Sequence, residues 1–307
     1  MAALRIVTRK SRLALWQAEH VRDRLLQAHP DLHVEFVAIS TQGDRTLDVP
    51  LAAFGGKGLF LKELEQTLLD GRADVAVHSM KDVTVKLPDG LDIPVVLKRG
   101  NPNDALVSNL YAELSAMPAG ARLGTCSLRR KCLIRERFPT LEVVDLRGNV
   151  TTRLARLDEG IFDAIILAAA GLERLGIAER IRGQLDNKVF LPAVGQGVIG
   201  IECHEDDRRS IELLQPLHDA RTATELAAER AANAALQGGC NVPLAVFAEV
   251  RNDRLDVRGM VGLPDGSRVL RESLSGAAVD AAALGTELAS RLIARGADQI
   301  LRAVYAG

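Results

Sequence analysis

The chain has 307 residues, which is long for a single hydrophobic core and predicts two or three domains. Its formal net charge of -1 and aromatic content of 3% argue against a nucleic-acid surface, which needs clustered positive charge and stacking rings. No apolar run approaches the roughly 18 residues of a membrane span, so neither nucleic acid nor a membrane is an expected partner.

Up to about residue 200, short β-rich runs alternate with helical stretches, which predicts α/β sheets with crossover helices. The first series consists of LRIVT, a helix over 11–28, HVEFVAIS, a helix over 58–70, and DVAVHS. A second series follows Asn101-Pro102-Asn103 and consists of ARLGT, a helix from Ser127, LEVVDLR, a helix from Val150, DAIILAA and GLERLGI. The repetition predicts two similar α/β lobes.

The last third of the chain has a different order. VIGIEC, from Val198, is predicted to be a strand, and a charged helix and linker follow it. After about residue 220, an Ala-rich helix precedes the alternating runs VPLAVFAEV, RLDVRGMVG and SRVLRESLSG, and helices return from about Val279. This order predicts a smaller α+β domain with an antiparallel sheet.

Cys240 lies directly after the predicted end of the Ala-rich helix, in ERAANAALQGGCNVPLA. Gly238-Gly239 is expected to end this helix, because glycine enters the left-handed conformation at little cost, and Pro243 prevents it from resuming. A thiol on such a turn is accessible to another molecule, and the alternative is a buried structural cysteine.

The four cysteines stand at positions 126, 132, 203 and 240 and form no C-x-x-C pair. This spacing predicts a reduced, cytoplasmic protein. Cys203, His204 and His218 fit no zinc spacing, so no metal is predicted.

Basic side chains recur where predicted strands give way to helices, which is where open α/β sheets bind ligands. A helix N-terminus disfavours a cation because its dipole end is already positive, so repeated arginines there predict a ligand with several carboxylates. Solvated arginines are the alternative, and high-GC codon bias is another explanation for 31 arginines against 8 lysines. The positions are Arg9, Lys10 and Ser11, then Thr125, Ser127, Arg129 and Arg130, then Arg147, Asn149 and Arg153.

Asp82, in HSMKD, follows a predicted strand at the same edge. A turn or cap role is the alternative to stabilising a developing positive charge. The long connection over 41–58 predicts a mobile lid, because its Gly56-Lys57 lacks the spacing and the Ser or Thr of a phosphate loop. PAVGQG, residues 192–197, predicts a hinge or close backbone packing.

Seven segments closely resemble the porphobilinogen deaminase family, in the family's order and over essentially the whole chain. They are TRKSRLALWQ, FGGKGLF, HSMKDV, GTCSLRR, LRGNVTTRL, PAVGQG and ERAANAALQGGCNVPLA. The resemblance implies a transferase of tetrapyrrole biosynthesis that joins four porphobilinogen units, releases ammonia at each step and hydrolyses off hydroxymethylbilane. It also implies a monomer of three domains, the first two like type II periplasmic binding proteins: residues 1–99 with 198–217, residues 100–197, and residues 220–307.

The resemblance also assigns roles to residues. Cys240 would carry a dipyrromethane cofactor through a thioether, and Asp82 would be the catalytic residue that stabilises an azafulvenium cation. Implied cofactor contacts come from Lys81, Asp82, Thr125, Ser127, Arg129, Arg130 and Arg147, and substrate contacts from Arg9, Ser11, Arg147, Arg153 and Arg174. Lys57 and Phe60 would belong to the lid. Cys126 replaces a serine of the usual family pattern, so the thioether assignment rests on the GGC signature.

Two other functions fit parts of this pattern. A non-catalytic, two-lobed carboxylate-binding protein would use the same arginines, and a nucleotide-dependent enzyme would use Gly56-Lys57. Cys240 and Asp82 favour the transferase, because anion binding requires neither of them.

Overall fold

A computed structural model of the chain describes residues 3–41, 61–239 and 242–306. The chain divides into two compact units, one of Met1–Gly100 with Val198–Ala223 and the other of Asn101–Gly197 with Thr224–Gly307. Within the described ranges, no helix is both long and apolar enough to cross a membrane.

The first unit contains a five-stranded sheet in the order β2-β1-β3-β10-β4. Its strands are β1 (Leu4–Arg9), β2 (Val34–Ile39), β3 (Val75–Ser79), β4 (Leu91–Val96) and β10 (Ile199–His204), and its helices include α1 (Arg12–Ala28), α2 (Lys62–Leu69) and α6 (Arg208–Leu214). Strands β1, β2 and β3 are parallel, whereas β10 runs antiparallel to both of its neighbours. Alternate residues of β1 pack on opposite faces, Ile6 with α1 and Val7 with α2, so both faces are covered.

The second unit contains a sheet of the same design, in the order β7-β6-β8-β5-β9. Its strands are β5 (Asp104–Val107), β6 (Arg122–Gly124), β7 (Glu142–Val144), β8 (Ala164–Ala168) and β9 (Ile181–Leu185), with helices α3 (Leu128–Arg137), α4 (Val150–Asp158) and α5 (Ala169–Arg174). Here β5 is the antiparallel strand in the fourth place. The two predicted α/β lobes are therefore present, with one shared topology.

The second unit also holds a three-stranded antiparallel sheet of β11 (Leu244–Arg251), β12 (Arg254–Gly262) and β13 (Val269–Ala277). Helices α7 (Ala220–Ala235), α8 (Ala281–Ala294) and α9 (Ala297–Ala306) pack on one face. On the other face, Phe247 and Met260 join Leu133 and Ile134 of α3 in a common core. This shared core explains why the antiparallel sheet and the second lobe form one compact unit.

The predicted fold class, two α/β lobes with a smaller antiparallel α+β part, is confirmed. Strands β4, β5 and β9 escaped sequence analysis, because β4 contains Pro94 at a sheet edge, β5 has four residues, and β9 is a half-exposed edge strand. The division of 100–197 from 220–307 stays a prediction.

Helices α7 and α8 approach closely at Gly285, where an added Cβ would lie 2.1 Å from the carbonyl oxygen of Ala228. We therefore expect Gly285→Ala to lower the free energy of unfolding by about 1–3 kcal/mol, because the two backbones must separate. Urea denaturation of the variant measures this change. Ser290→Ala, at an exposed position of the same helix, is the control and should change stability by less than about 0.5 kcal/mol. Equal stability of all three proteins would contradict the prediction.

Candidate functional site

The first unit brings two predicted site segments to one edge of its sheet. Strands β1 and β3 are parallel neighbours, so Arg9, the last residue of β1, and the turn after Ser79 lie at the same edge. Ser11 is the N-cap of α1, and its Oγ accepts a hydrogen bond from the backbone N–H of Ala14 at 3.4 Å. Arg9 and Ser11 are both half-buried.

Asp82 is the last residue of a 3₁₀ turn, Met80–Asp82, that directly follows β3. The backbone N–H of Met80 donates to the carbonyl oxygen of Val198 at 3.0 Å, which ties the turn to the residue preceding β10. The carboxylate of Asp82 is exposed and makes no hydrogen bond or ion pair with any described residue. It therefore caps no local backbone group, and it is available to a ligand. Lys81 beside it is half-buried.

In the second unit, the predicted hydroxyl residues cap helix starts. The Oγ of Ser127 accepts from the backbone N–H of Arg130 at 3.4 Å, and the Oγ1 of the buried Thr125 accepts from the N–H of Ser127 at 3.3 Å. Asn149 caps α4 in the same way, accepting from the N–H of Thr152 at 2.9 Å. These caps hold the two helix starts behind the parallel strands β6 and β7.

Arg129 and Arg130 are buried side chains, with 4% and 6% exposure, and both bind the fully buried carboxylate of Asp104. The Nη1 of Arg129 lies 2.7 Å from Oδ2 of Asp104, and the Nη2 of Arg130 lies 2.8 Å from Oδ1. The two guanidinium groups also donate to the carbonyl oxygens of Leu191 and Ile166. The anion that these helix-start arginines require is thus partly supplied by the chain itself, and their direct contact with a ligand stays a prediction.

The buried group around Asp104 carries a net positive charge, because one carboxylate faces two guanidinium groups. Burial by itself would raise the pKa of Asp104, but the charges and hydrogen bonds of Arg129 and Arg130 hold it well below its usual range. Gln196 completes the group, with its Nε2 donating to Oδ1 of Asp104 at 3.0 Å. The Nε of Arg129 is buried without a hydrogen-bond partner among the described residues. Surplus positive charge and an unused donor both suit an anionic ligand.

Three more predicted arginines lie in the second unit, and all are half-buried. The Nε of Arg153 donates to the carbonyl oxygen of Gly148 at 2.7 Å, and the Nη2 of Arg174 donates to that of Gly197 at 2.6 Å. Burial lowers the pKa of the Arg174 guanidinium to about 10. A nearby carboxylate would therefore stabilise the charged form of Arg174. The third of these arginines is Arg147.

The helix before Cys240 ends differently from the prediction. Gln237 adopts the left-handed conformation, with a φ of 51°, whereas Gly238 does not. The N–H groups of Gly238 and Gln237 donate to the carbonyl oxygens of Asn233 and Ala234, at 2.9 and 3.0 Å, which is a Schellman ending. Gly238 is required for space, because an added Cβ would lie 2.1 Å from Oδ1 of Asn233. Lys57, Phe60 and Cys240 lie outside the described residues.

Sequence analysis missed Glu229, a fully buried carboxylate on α7. Its Oε2 accepts from the N–H of Gly195 at 2.7 Å, and its Oε1 accepts from the N–H of Ala248 at 3.0 Å. Gly195 precedes Gln196, so Glu229 fixes the PAVGQG loop that reaches Asp104. Gly195 and Gly197 of this loop adopt positive φ values of 68° and 86°, and the hinge or close backbone packing predicted for it stays a prediction. The available sequence signal for Glu229 was a pair of acidic residues, Glu225 and Glu229, four positions apart on the buried face of an Ala-rich helix.

Two of the four cysteines are buried in hydrophobic cores. Burial raises the pKa of the Cys132 thiol and of the Cys203 thiol to about 12 in each case, so both keep their protons at neutral pH. Cys126 is half-buried and free. Burial therefore disfavours Cys132 and Cys203 as nucleophiles.

Two family models match the chain. Residues 4–212 match the model described as porphobilinogen deaminase, dipyromethane cofactor binding domain, and residues 223–294 match porphobilinogen deaminase, C-terminal domain. The cofactor-binding domain model spans both lobes, and this match defines a transferase that uses dipyrromethane. The chain belongs to the porphobilinogen deaminase family, as the sequence resemblance predicted. The family acts on porphobilinogen and belongs to tetrapyrrole biosynthesis.

Several solved structures of bacterial proteins are similar to part of the chain. An ABC transporter periplasmic substrate-binding protein from Coxiella burnetii is 14% identical, with a TM-score of 0.46 over 72% of this chain and 94% of that chain. Immunogenic lipoprotein A from Vibrio vulnificus is 13% identical, with a TM-score of 0.46 over 72% of this chain and 97% of that chain. These similarities concern the fold alone and carry no argument about ligand or activity.

The ion-pair group around Asp104 generates a stability prediction. We expect Asp104→Asn to lower the free energy of unfolding by about 3–5 kcal/mol at pH 7, because two buried guanidinium groups lose their anion. Thermal unfolding at several pH values measures the difference from the unsubstituted protein. Because the folded pKa of Asp104 is depressed, this difference should be constant above the unfolded pKa of about 4 and should shrink as pH falls below it.

Asp158→Asn is the matched control, since Asp158 pairs with Arg180 at a partly exposed site of the same unit. It should change the free energy of unfolding by less than about 1 kcal/mol. Equal effects of the two substitutions would show that the buried group does not depend on the charge of Asp104.

Proposed function

We propose that this protein is a hydroxymethylbilane synthase. It would join four porphobilinogen molecules head to tail, with loss of ammonia at each condensation, and release hydroxymethylbilane by hydrolysis. The observation that carries this proposal is the exposed carboxylate of Asp82, which has no partner among the described residues and stands on a turn held by the chain before β10. A protein that only bound carboxylates would need the arginines and would not need this anion.

The carboxylate of Asp82 would act on the reacting substrate. As the carbon–nitrogen bond of porphobilinogen breaks, the bonding electrons leave with ammonia and positive charge develops on the pyrrole. A fixed carboxylate at that place stabilises the developing charge and accepts a hydrogen bond from the pyrrole N–H. Because the carboxylate of Asp82 makes no hydrogen bond with a described residue, no bond within that part of the chain must break before it acts.

Cationic side chains would hold the acetate and propionate groups of substrate and cofactor. The surplus positive charge around Asp104 and the half-buried position of Arg174 support this role, because both favour an additional anion. When bound, dipyrromethane supplies the pyrrole carbon to which the first substrate unit is joined. The proposed contacts are those of Arg9, Ser11, Lys81, Thr125, Ser127, Arg129, Arg130, Arg147, Arg153 and Arg174.

Cys240 is the proposed anchor of the cofactor. The buried Cys132 and Cys203 keep their protons, which removes two of the four thiols as nucleophiles. The α7 helix that precedes Cys240 ends in a defined hydrogen-bonded turn and is fixed through Glu229 to the PAVGQG loop. A thioether is a stable attachment for a group that must survive repeated turnovers. The free thiols of the described cysteines also support a reducing compartment such as the cytoplasm.

The anchor is tested by the intact mass of the denatured protein. We expect the unsubstituted protein and Cys126→Ser to carry an excess equal to two porphobilinogen-derived units, and Cys240→Ala to have the mass of its bare sequence. Loss of the excess in Cys126→Ser alone would move the anchor to Cys126. If the unsubstituted protein has its bare mass, porphobilinogen is added before a second measurement, and a mass that is still bare contradicts the proposal.

The role of Asp82 is tested by the kinetics of Asp82→Asn, which keeps the shape of the side chain and removes its charge. We expect kcat for porphobilinogen consumption to fall by about 100-fold or more, because the developing positive charge loses its counter-charge. Asp89→Asn is the matched control, since Asp89 is a highly exposed aspartate seven residues further on, and its kcat should be unchanged. A near-normal kcat for Asp82→Asn with a retained cofactor would refute the role.

A further inference from the structure

The first unit contains a buried ionisable pair that the proposed chemistry does not use. The Nε2 of His78, on β3, lies 2.7 Å from Oε2 of Glu202, on β10, and the two side chains are 3% and 1% exposed. Both residues stand on the face of the sheet that packs against α2, since His78 alternates with Val77 and Glu202 with Ile201, which line the opposite core. His78 precedes the turn of Asp82 by two residues.

The same two strands hold the turn in other ways. His78 is the register partner of Gly200, and the N–H of Met80 donates to the carbonyl oxygen of Val198 at 3.0 Å. The side chain of Met80 packs over Gly200, where an added Cβ would lie 2.1 Å from its Sδ. The Met80–Asp82 turn is therefore attached to β10 and the residue before it by a backbone bond, a side-chain contact and the adjacent His78–Glu202 pair.

A buried imidazole–carboxylate pair contributes little net stability to a fold. Removing both groups from water costs free energy that a well-packed apolar pair would avoid. Glu202 also keeps a buried Oε1 without a hydrogen-bond partner among the described residues. On α2, the partly buried Glu65 has a raised pKa, first because of its burial and second because of the charge of Glu202. The pair is therefore retained at a cost, which points to a role in defining a particular geometry.

We propose that His78 and Glu202 are positioning residues for Asp82. Their hydrogen bond locks the end of β3 to β10, and this lock sets the direction in which the Met80–Asp82 turn presents its carboxylate. The inference rests on the proposed role of Asp82. A displacement of about 1 Å in a catalytic group can cost about 100-fold in rate, so the lock acts on turnover. Substrate affinity depends mainly on the arginines.

The test uses cofactor-loaded protein and compares kcat and KM for porphobilinogen. We expect Glu202→Leu and His78→Leu each to lower kcat by about tenfold or more while KM changes by less than about threefold. His78→Gln should recover most of the lost kcat, because its amide N–H can donate to Glu202 near the place of the imidazole Nε2. His29→Gln is the matched control, since His29 is a half-buried histidine of the same unit that bonds the carbonyl oxygen of Leu213, and it should keep the unsubstituted kcat.

Intact mass and thermal unfolding of each variant show whether cofactor and fold are retained. Unchanged kcat in folded Glu202→Leu and His78→Leu would overturn the inference, and so would equal losses in His78→Gln and His78→Leu. If these variants do not fold, Gly200→Ala tests the same attachment, because its methyl group must displace Met80. It should lower kcat with KM preserved, and a normal kcat would overturn the inference.

The failure of this inference is distinct from the failure of the proposed function. A near-normal kcat for Asp82→Asn would remove the proposed role of Asp82 itself. A slow Asp82→Asn together with a normal Glu202→Leu and a normal His78→Leu would leave the proposed function intact and would remove the positioning role alone.

Discussion

The buried carboxylate of Asp104 is the interaction on which the second unit depends. This one anion accepts hydrogen bonds from two guanidinium groups and a glutamine amide, and it thereby joins three segments of the chain. A carboxylate with two cations around it stays ionised in the interior, and the cations in turn stay charged. The arrangement keeps an uncompensated positive charge at the start of α3. In the proposed function, this charge would favour a carboxylate-rich ligand.

Glu229 links this group to α7, the helix that precedes Cys240. It accepts from backbone N–H groups of the PAVGQG loop and of β11, and the loop places Gln196 on Asp104. The helix that leads to Cys240 is therefore connected to the arginine pair by a short series of buried hydrogen bonds. Buried carboxylates that accept backbone N–H groups cannot move without leaving those groups unsatisfied, so the segments are held in a fixed relation.

Sequence analysis predicted where these segments lie in the fold and did not predict their internal partners. Asp82, Ser11 and Ser127 follow strands whose apolar runs are easily recognised, so their place at the sheet edges could be predicted. The partner of Arg129 could not, because Asp104 stands 25 residues earlier on a four-residue strand inserted antiparallel beside β8. Local sequence patterns do not indicate which distant strand a short strand will pair with. The left-handed conformation of Gln237 was missed because glycine adopts that conformation at lower cost and Gly238 stands next to it. The space at Gly238 is limited by the side chain of Asn233.

The late position of β10 in the chain affects how the protein is synthesised and folded. β10, which lies between β3 and β4, follows in the chain only after all five strands of the second lobe. A ribosome therefore releases residues 1–100 well before Ile199–His204 is synthesised. Until then, the edges of β3 and β4 that pair with β10 have no partner strand. The turn of Asp82 gains its attachments to Val198, Gly200 and Glu202 at that late point. The turn that carries Asp82 is thus completed only after most of the chain has been synthesised, so a prematurely ended chain lacks the strand that fixes it.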